Sequence, residues 1–152
     1  EGEFYTAREA CLMPKAERAS GPEIMIGTLL GAPRMSRLVA QHAHLWNCNI
    51  AFGDSRLAHY RTVWQPLEAA CLKHGRDPAT LRRHATVGVN LTTEPYPVPG
   101  AVPFAGEPAQ IAERFAEYAA AGVKHVSIMP HPWTRDGVED FGAVIEALRK
   151  LT

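Results

Sequence analysis

The chain has 152 residues, with 16 lysines and arginines balanced by 16 aspartates and glutamates, so its formal net charge is zero. This balance excludes the basic surface of a nucleic-acid-binding protein, and no apolar run reaches the length of a membrane span. The three cysteines, Cys11, Cys48 and Cys71, form no C-x-x-C pair. They are typical of reduced thiols, and we expect a cytoplasmic protein.

The first part of the chain reads as strand, loop, helix and strand. After an irregular segment over 1–22, the pattern predicts a buried strand at 23–26 and a helix over about 33–43. Pro33 suits the first turn of that helix, where a missing N–H does no harm. Leu45 and Trp46 begin a second apolar strand, in which we expect Trp46 to lie in the core.

The alternation of strands and helices continues to the end of the chain. A helix over about 55–74 ends at Gly75, and Pro66 within it predicts a kink or a break. The later elements are a strand at 83–91, a proline-rich loop at 92–104, a helix at 108–121, a strand at 125–129, a loop at 130–133 and a helix over about 138–151. This order predicts an α/β fold with a parallel sheet. Periodicity alone leaves two architectures open, a partial barrel and a doubly wound sheet.

The loop after the first strand is the segment whose local geometry predicts a ligand. Gly27 and Gly31 permit a tight turn, and free backbone N–H groups at the following helix N-terminus suit a phosphate. The loop lacks the dinucleotide and Walker A patterns, so an ordinary turn is the alternative. Arg34 either reaches the phosphate or is a solvated charge. The hydroxyl of Thr28 either donates to a phosphate oxygen or bonds the backbone of the turn.

Four segments, in order, resemble the luciferase-like oxidoreductases, which are flavin- or deazaflavin-dependent enzymes built on a TIM barrel. They are the strand, loop and helix from Ile26 to Asn47, the turn His74-Gly-Arg-Asp-Pro78, the helix start from Phe104 to Phe115, and the strand entry Ala121-Gly-Val-Lys-His-Val126. Upstream, Glu3-Phe-Tyr5 and Met13-Pro14 are also similar to the family. The chain departs from it at Thr28-Leu29-Leu30, where a shorter and glycine-richer turn is usual.

The resemblance implies the C-terminal portion of a (β/α)8 TIM barrel, a fold that typically needs about 250 residues. We expect residues 1–152 to form one domain and the catalytic residues to lie upstream of Glu1. Carried over by position, the resemblance implies that coenzyme F420 (a deazaflavin) or FMN is bound through its phosphate. The implied cofactor-binding residues are Gly27, Thr28, Gly31, Ala32 and Arg34.

The implied activity is oxidoreduction of a small molecule, either by hydride transfer with F420 or as an FMN-dependent monooxygenase. A non-catalytic half-barrel that serves as a scaffold is the alternative from another class. We expect the isolated chain to show little turnover, because a half-barrel leaves strand edges that recruit other strands. Its expected partners are therefore a second copy or an N-terminal half, with no nucleic acid and no membrane.

Histidines supply the remaining candidate chemistry. His131 lies in the loop after the last strand, where a histidine can act as an acid or a base. The alternative is that His131 simply packs on Trp133. His42 and His44 are two positions apart and point in different directions, so no metal site is predicted.

Overall fold

The computed structural model describes residues 3–4, 6–11, 13, 15, 17–28 and 32–151. Tyr5, Pro14, Leu29, Leu30 and Gly31, which several sequence predictions use, lie outside this part. The described residues before Met25 form no helix or strand, as predicted for the lead-in. The elements are β1 (Met25–Thr28), α1 (Pro33–His42), β2 (Leu45–Asn49), α2 (Leu57–Lys73), β3 (Arg82–Asn90), β4 (Phe104–Ala105), α3 (Pro108–Ala120), β5 (His125–His131) and α4 (Arg135–Arg149).

The sheet is parallel throughout, and its long strands lie in the order β1-β2-β3-β5. The helices follow the same order, since α1 packs on α2, α2 touches α3 and α3 packs on α4. A doubly wound sheet would reverse its strand order once and place helices on both faces. Here the order never reverses, so right-handed crossovers place every helix on one face. The protein is therefore an α/β fold arranged as a partial (β/α)8 barrel, as predicted.

Several elements differ from the sequence predictions. Strand β1 covers Met25–Thr28 and not 23–26, so Gly27 and Thr28 belong to the strand and not to the loop after it. Helix α2 continues through Pro66 without a break. The buried residues Tyr60, Val63, Leu67 and Cys71 lie on both sides of the proline, and their packing outweighs the lost backbone hydrogen bond. Strand β5 continues through Pro130 and His131, so the predicted loop begins only at Pro132.

The two-residue strand β4 and a 3-10 turn at Pro78–Thr80 have no counterpart in the predictions. Helix α4 begins three residues earlier than expected, because the Thr134 hydroxyl accepts a hydrogen bond from Gly137 N and caps the helix.

The core lies between the helix layer and the sheet. The indole of Trp46 is fully buried, as predicted, with its ring centroid 5.4 Å from Tyr60 and 5.5 Å from Trp64 of α2. Tyr60 in turn lies 5.2 Å from Tyr118 of α3. These rings join two helices to the sheet through one aromatic cluster.

The turn His74-Gly-Arg-Asp-Pro78 has a defined structural role. Gly75 has a φ of 70°, which ends α2 in a conformation that favours glycine. The Arg76 guanidinium then donates to the carbonyls of Val39, Ala40 and Ala43 at 3.4, 3.1 and 2.8 Å. Arg76 therefore places a positive charge on carbonyls at the C-terminal end of α1.

Ser55 completes the hydrogen bonding of β3 where its neighbours leave a gap. Strand β2 ends at Asn49, and β4 joins β3 only at Val89. Between them the Ser55 hydroxyl accepts from Gly88 N at 3.1 Å and donates to Ile50 O at 3.3 Å. Its backbone carbonyl also accepts from the Tyr118 hydroxyl at 2.8 Å.

Replacing Ser55 with alanine should leave the Gly88 N–H buried without its partner. We expect S55A to lower the free energy of unfolding by about 1–3 kcal/mol, the usual cost of such a group. Urea denaturation measures the loss, and amide hydrogen exchange should show Gly88 losing protection. The exposed hydroxyl of Thr62, which bonds only the carbonyl of His59, provides the control T62A. Equal stabilities of S55A and T62A would contradict this role.

Candidate functional site

The end of β1 and the start of α1 carry the predicted phosphate site. Thr28 is 6% exposed, and its hydroxyl accepts from Trp46 Nε1 at 2.7 Å. The side chain thus lies on the helix side of the sheet, against the aromatic cluster. This contact fixes the last residue of β1 immediately before the loop, and it is neither of the two contacts considered for Thr28 from the sequence.

Gly27 is exposed and points to the opposite, helix-free face. A methyl group on its Cα would meet only the carbonyl oxygen of Asn47, at 3.7 Å, which is ordinary van der Waals contact. The strand therefore tolerates a side chain here. Because Gly27 has no side chain, the space beside the loop is open, and a bound group could approach the backbone there.

Among the described residues, no side chain caps the N-terminus of α1. Ala32 occupies the N-cap position without a side-chain hydrogen bond, and Pro33 follows in the first turn. The first turn contains no acidic residue and instead carries the exposed Arg34. An uncapped N-terminus with an added positive charge is unfavourable by itself, and a bound anion would relieve it. Ala32 and Arg34 therefore lie where the sequence predicted, whereas Gly31 lies outside the described residues.

His131 lies on β5, at the edge of the sheet opposite β1. Three strand spacings separate β1 from β5, which corresponds to about 14 Å across the sheet. The structure therefore places the loop and His131 at the same end of the strands but not in contact. Trp133 is exposed, and the ring against His131 is instead Tyr96, edge-on at 6.1 Å. The packing of His131 on Trp133, considered from the sequence as the alternative to a catalytic role, is not observed, and Tyr96 of the proline-rich loop contacts His131 instead.

The loop over 91–103 is held in place by polar contacts at both strands. The Asn90 amide donates to Glu94 O at 2.8 Å and accepts from the backbone N–H of Thr92 at 3.2 Å. Tyr96 covers Gly88 closely enough that any Cβ at Gly88 would meet the phenol oxygen, and its hydroxyl donates to Met129 O at 3.3 Å. The loop therefore forms a wall at the C-terminal ends of β3 and β5.

A polar row on the helix-free face was missed by the sequence analysis. His84 Nε2 lies 3.0 Å from Ser127 Oγ, and its ring stacks on His125 at 4.6 Å. The Thr86 hydroxyl donates to Asn47 Oδ1 at 3.1 Å on the same face. The alternation of β3 contains this signal, because its even positions are polar or glycine while its odd positions from 85 to 89 are apolar. The partners on β2 and β5, however, depend on the sheet register.

Burial shifts the pKa values of His84, on the helix-free face, and of Cys48, on the helix side of the sheet. Burial and the neighbouring His125 together lower the pKa of His84 below its usual 6.5. On the helix side, burial raises the pKa of the Cys48 thiol to about 12, so it stays protonated. Cys48 and Cys71 are buried free thiols. Within the described residues, no group of three His, Cys, Asp or Glu side chains is arranged to hold a metal ion.

The lowered pKa of His84 predicts a pH dependence of stability. Above about pH 6.5 the ring is neutral in both states; as the pH falls, the unfolded chain binds the proton first, so stability is lost. Variant H84Q keeps a polar group for Ser127 but does not titrate. Between about pH 7.5 and pH 5.5, urea denaturation should show a larger loss for wild type than for H84Q. Parallel losses would show that His84 does not couple to folding.

Comparison with solved structures finds an F420-dependent secondary alcohol dehydrogenase in complex with an F420–acetone adduct. The TM-score is 0.67 at 13% sequence identity, and the match covers 98% of this chain and 55% of the other. The chain thus spans about half the length of that enzyme. At this identity the likeness shows a shared fold.

Sequence comparisons add no relative. No family model matches the chain, and no curated protein matches it. None of the described helices is long and apolar enough to cross a membrane.

Proposed function

We propose that this chain is a segment of an F420-dependent oxidoreductase that binds the cofactor phosphate at the loop between β1 and α1. The proposed cofactor-binding residues are Gly27, Gly31, Ala32 and Arg34, and Thr28, whose hydroxyl accepts from Trp46, is proposed to position the loop. The observation that carries the proposal is the uncapped, arginine-bearing N-terminus of α1 at the end of a barrel strand. The fold likeness to an F420-dependent secondary alcohol dehydrogenase supports the choice of cofactor.

The first turn of α1 and the last residue of β1 have different proposed parts. The backbone N–H groups of Arg34 and Met35 lie in the first helical turn, where a phosphate can accept from them. The Arg34 side chain adds charge that strengthens anion binding. Thr28 acts through Trp46, since their hydrogen bond fixes the end of β1 from which the loop departs.

The bound cofactor would supply the hydride chemistry, and the chain would supply walls for a small-molecule substrate. Tyr96 and His131 meet edge-on at the strand ends and form one such wall. His131 is half-buried, so its imidazole remains accessible to a substrate. We propose it as the acid or base of the site, with the other catalytic groups outside this chain.

Cofactor titration separates this proposal from its two alternatives. We expect the chain to bind F420, measured by calorimetry or by cofactor fluorescence, with affinity that falls as salt is added. Binding of FMN without F420 would favour the flavin-dependent monooxygenase of the same family. Absence of binding by either cofactor would contradict the phosphate site and favour the scaffold.

Variant G27V tests the position of the bound group. Valine suits a strand, and the structure leaves room for its Cβ, so folding should be preserved. The side chain would nevertheless occupy the open space beside the loop, and we expect F420 affinity to fall by about tenfold or more, equivalent to about 1.4 kcal/mol. M25V, on the same face at the far end of β1, is the matched control. Equal affinities for G27V and M25V would contradict a ligand beside Gly27.

A further inference from the structure

The proline-rich loop over 91–103 sends one side chain back onto the sheet. Pro95 and Pro97, on either side of Tyr96, are exposed, whereas Tyr96 itself is half-buried. Its hydroxyl donates a hydrogen bond to Met129 O of β5 at 3.3 Å. Burial raises the pKa of this phenol, so the hydroxyl keeps its proton at neutral pH. Tyr96 is therefore a lasting hydrogen-bond donor to the backbone of β5.

Gly88 of β3 provides the space that the phenol occupies. A Cβ at this position would lie 2.7 Å from the Tyr96 hydroxyl oxygen and 3.0 Å from the ring carbon that bears it. Glycine inside a strand is typical of a site where another group approaches the backbone closely. The sheet thus lacks a side chain at the place where the loop inserts one.

The inserted ring also contacts the candidate acid or base of the site. The ring centroids of Tyr96 and His131 are 6.1 Å apart, with an interplanar angle of 86°. This edge-on arrangement falls in the range of favourable aromatic pairs, about 4.5–7 Å between centroids. Among the described residues, the His131 imidazole makes this ring contact and no hydrogen bond. Its orientation is therefore held by packing on Tyr96 and not by a polar partner.

The orientation of His131 matters for proton transfer. A general acid or base must lie within hydrogen-bond reach of the reacting atom, and an imidazole that rotates freely spends only part of its time there. His131 and Met129 lie on the same face of β5, since they are two positions apart. The same tyrosine is thus bonded to the strand at Met129 and packed on the imidazole two residues later.

We propose that Tyr96 is a positioning residue, which holds the His131 imidazole in one orientation at the C-terminal end of β5. The proposal rests on the role of His131 as acid or base in the proposed function. Tyr96 acts on the reaction through His131 and does not itself transfer the proton. Its hydrogen bond to Met129 O fixes the phenol, and the phenol ring fixes the imidazole.

NMR spectroscopy of the isotope-labelled chain without cofactor tests this role. Three-bond couplings report whether the His131 side chain occupies one χ1 rotamer or several. We expect one rotamer in wild type, together with nuclear Overhauser contacts between the rings of Tyr96 and His131. Y96L removes the ring, so these contacts should be lost and the side chain should be shared among rotamers. Y96F keeps the ring and should restore most of the wild-type population.

A second variant changes the same contact from the side of the sheet. The methyl group of G88A would meet the Tyr96 hydroxyl, so the phenol should be displaced and His131 should be shared among rotamers as in Y96L. W133L is the control, because Trp133 is 73% exposed and the ring against His131 is that of Tyr96. It should leave the His131 rotamer unchanged.

Amide spectra establish that each variant is folded before its couplings are interpreted. An averaged His131 rotamer in wild type would overturn the proposal, and so would a wild-type rotamer in folded Y96L or G88A. Equal averaging in W133L and Y96L would overturn it too, because the effect would then not be specific to Tyr96. The measurement needs no cofactor, so its failure is distinguishable from a failure to bind F420, which the cofactor titration measures.

Discussion

The Ser55 hydroxyl takes the place of a strand neighbour and completes the hydrogen bonding of the central strand β3. Buried backbone groups need partners, and β3 loses β2 after Asn49 before it gains β4 at Val89. In this gap the Ser55 hydroxyl accepts a hydrogen bond from Gly88 N, and the Ser55 carbonyl accepts one from the Tyr118 hydroxyl of α3. Ser55 thereby completes the hydrogen bonding of β3 and also makes a hydrogen bond with helix α3. Tyr96 of the proline-rich loop packs on the same stretch of β3, at Gly88.

Much of the architecture follows from local pattern. The alternation of strands and helices is predicted by short apolar strands, by prolines at helix starts and by glycines at helix ends. The prolines are Pro33 and Pro108, and the glycines are Gly75 and Gly122. The parallel α/β fold follows from that alternation. The choice between a barrel and a doubly wound sheet required the observed strand order, because both satisfy the same periodicity. Pro66 is instructive, since local chemistry predicted a break that packing on both sides prevents.

Some features of the candidate site can likewise be predicted from the sequence, and others cannot. The uncapped helix start at Ala32 and Arg34 is visible in the sequence, because capping depends on residues close in the chain. Tyr96 against His131 and His84 against Ser127 are not, since 35 and 43 positions separate the partners and only sheet register brings them together. Thr28 shows the same limit, because its partner Trp46 lies on the neighbouring strand.

Backbone amide chemical shifts report directly on whether the first turn of α1 binds a phosphate. F420 and a deazaflavin nucleoside without phosphate would each be titrated into the isotope-labelled chain. If the phosphate binds there, F420 should shift the amide resonances of Arg34 and Met35, and the phosphate-free compound should leave them unchanged. Equal shifts with both compounds, or F420 shifts confined to other strand ends, would contradict it.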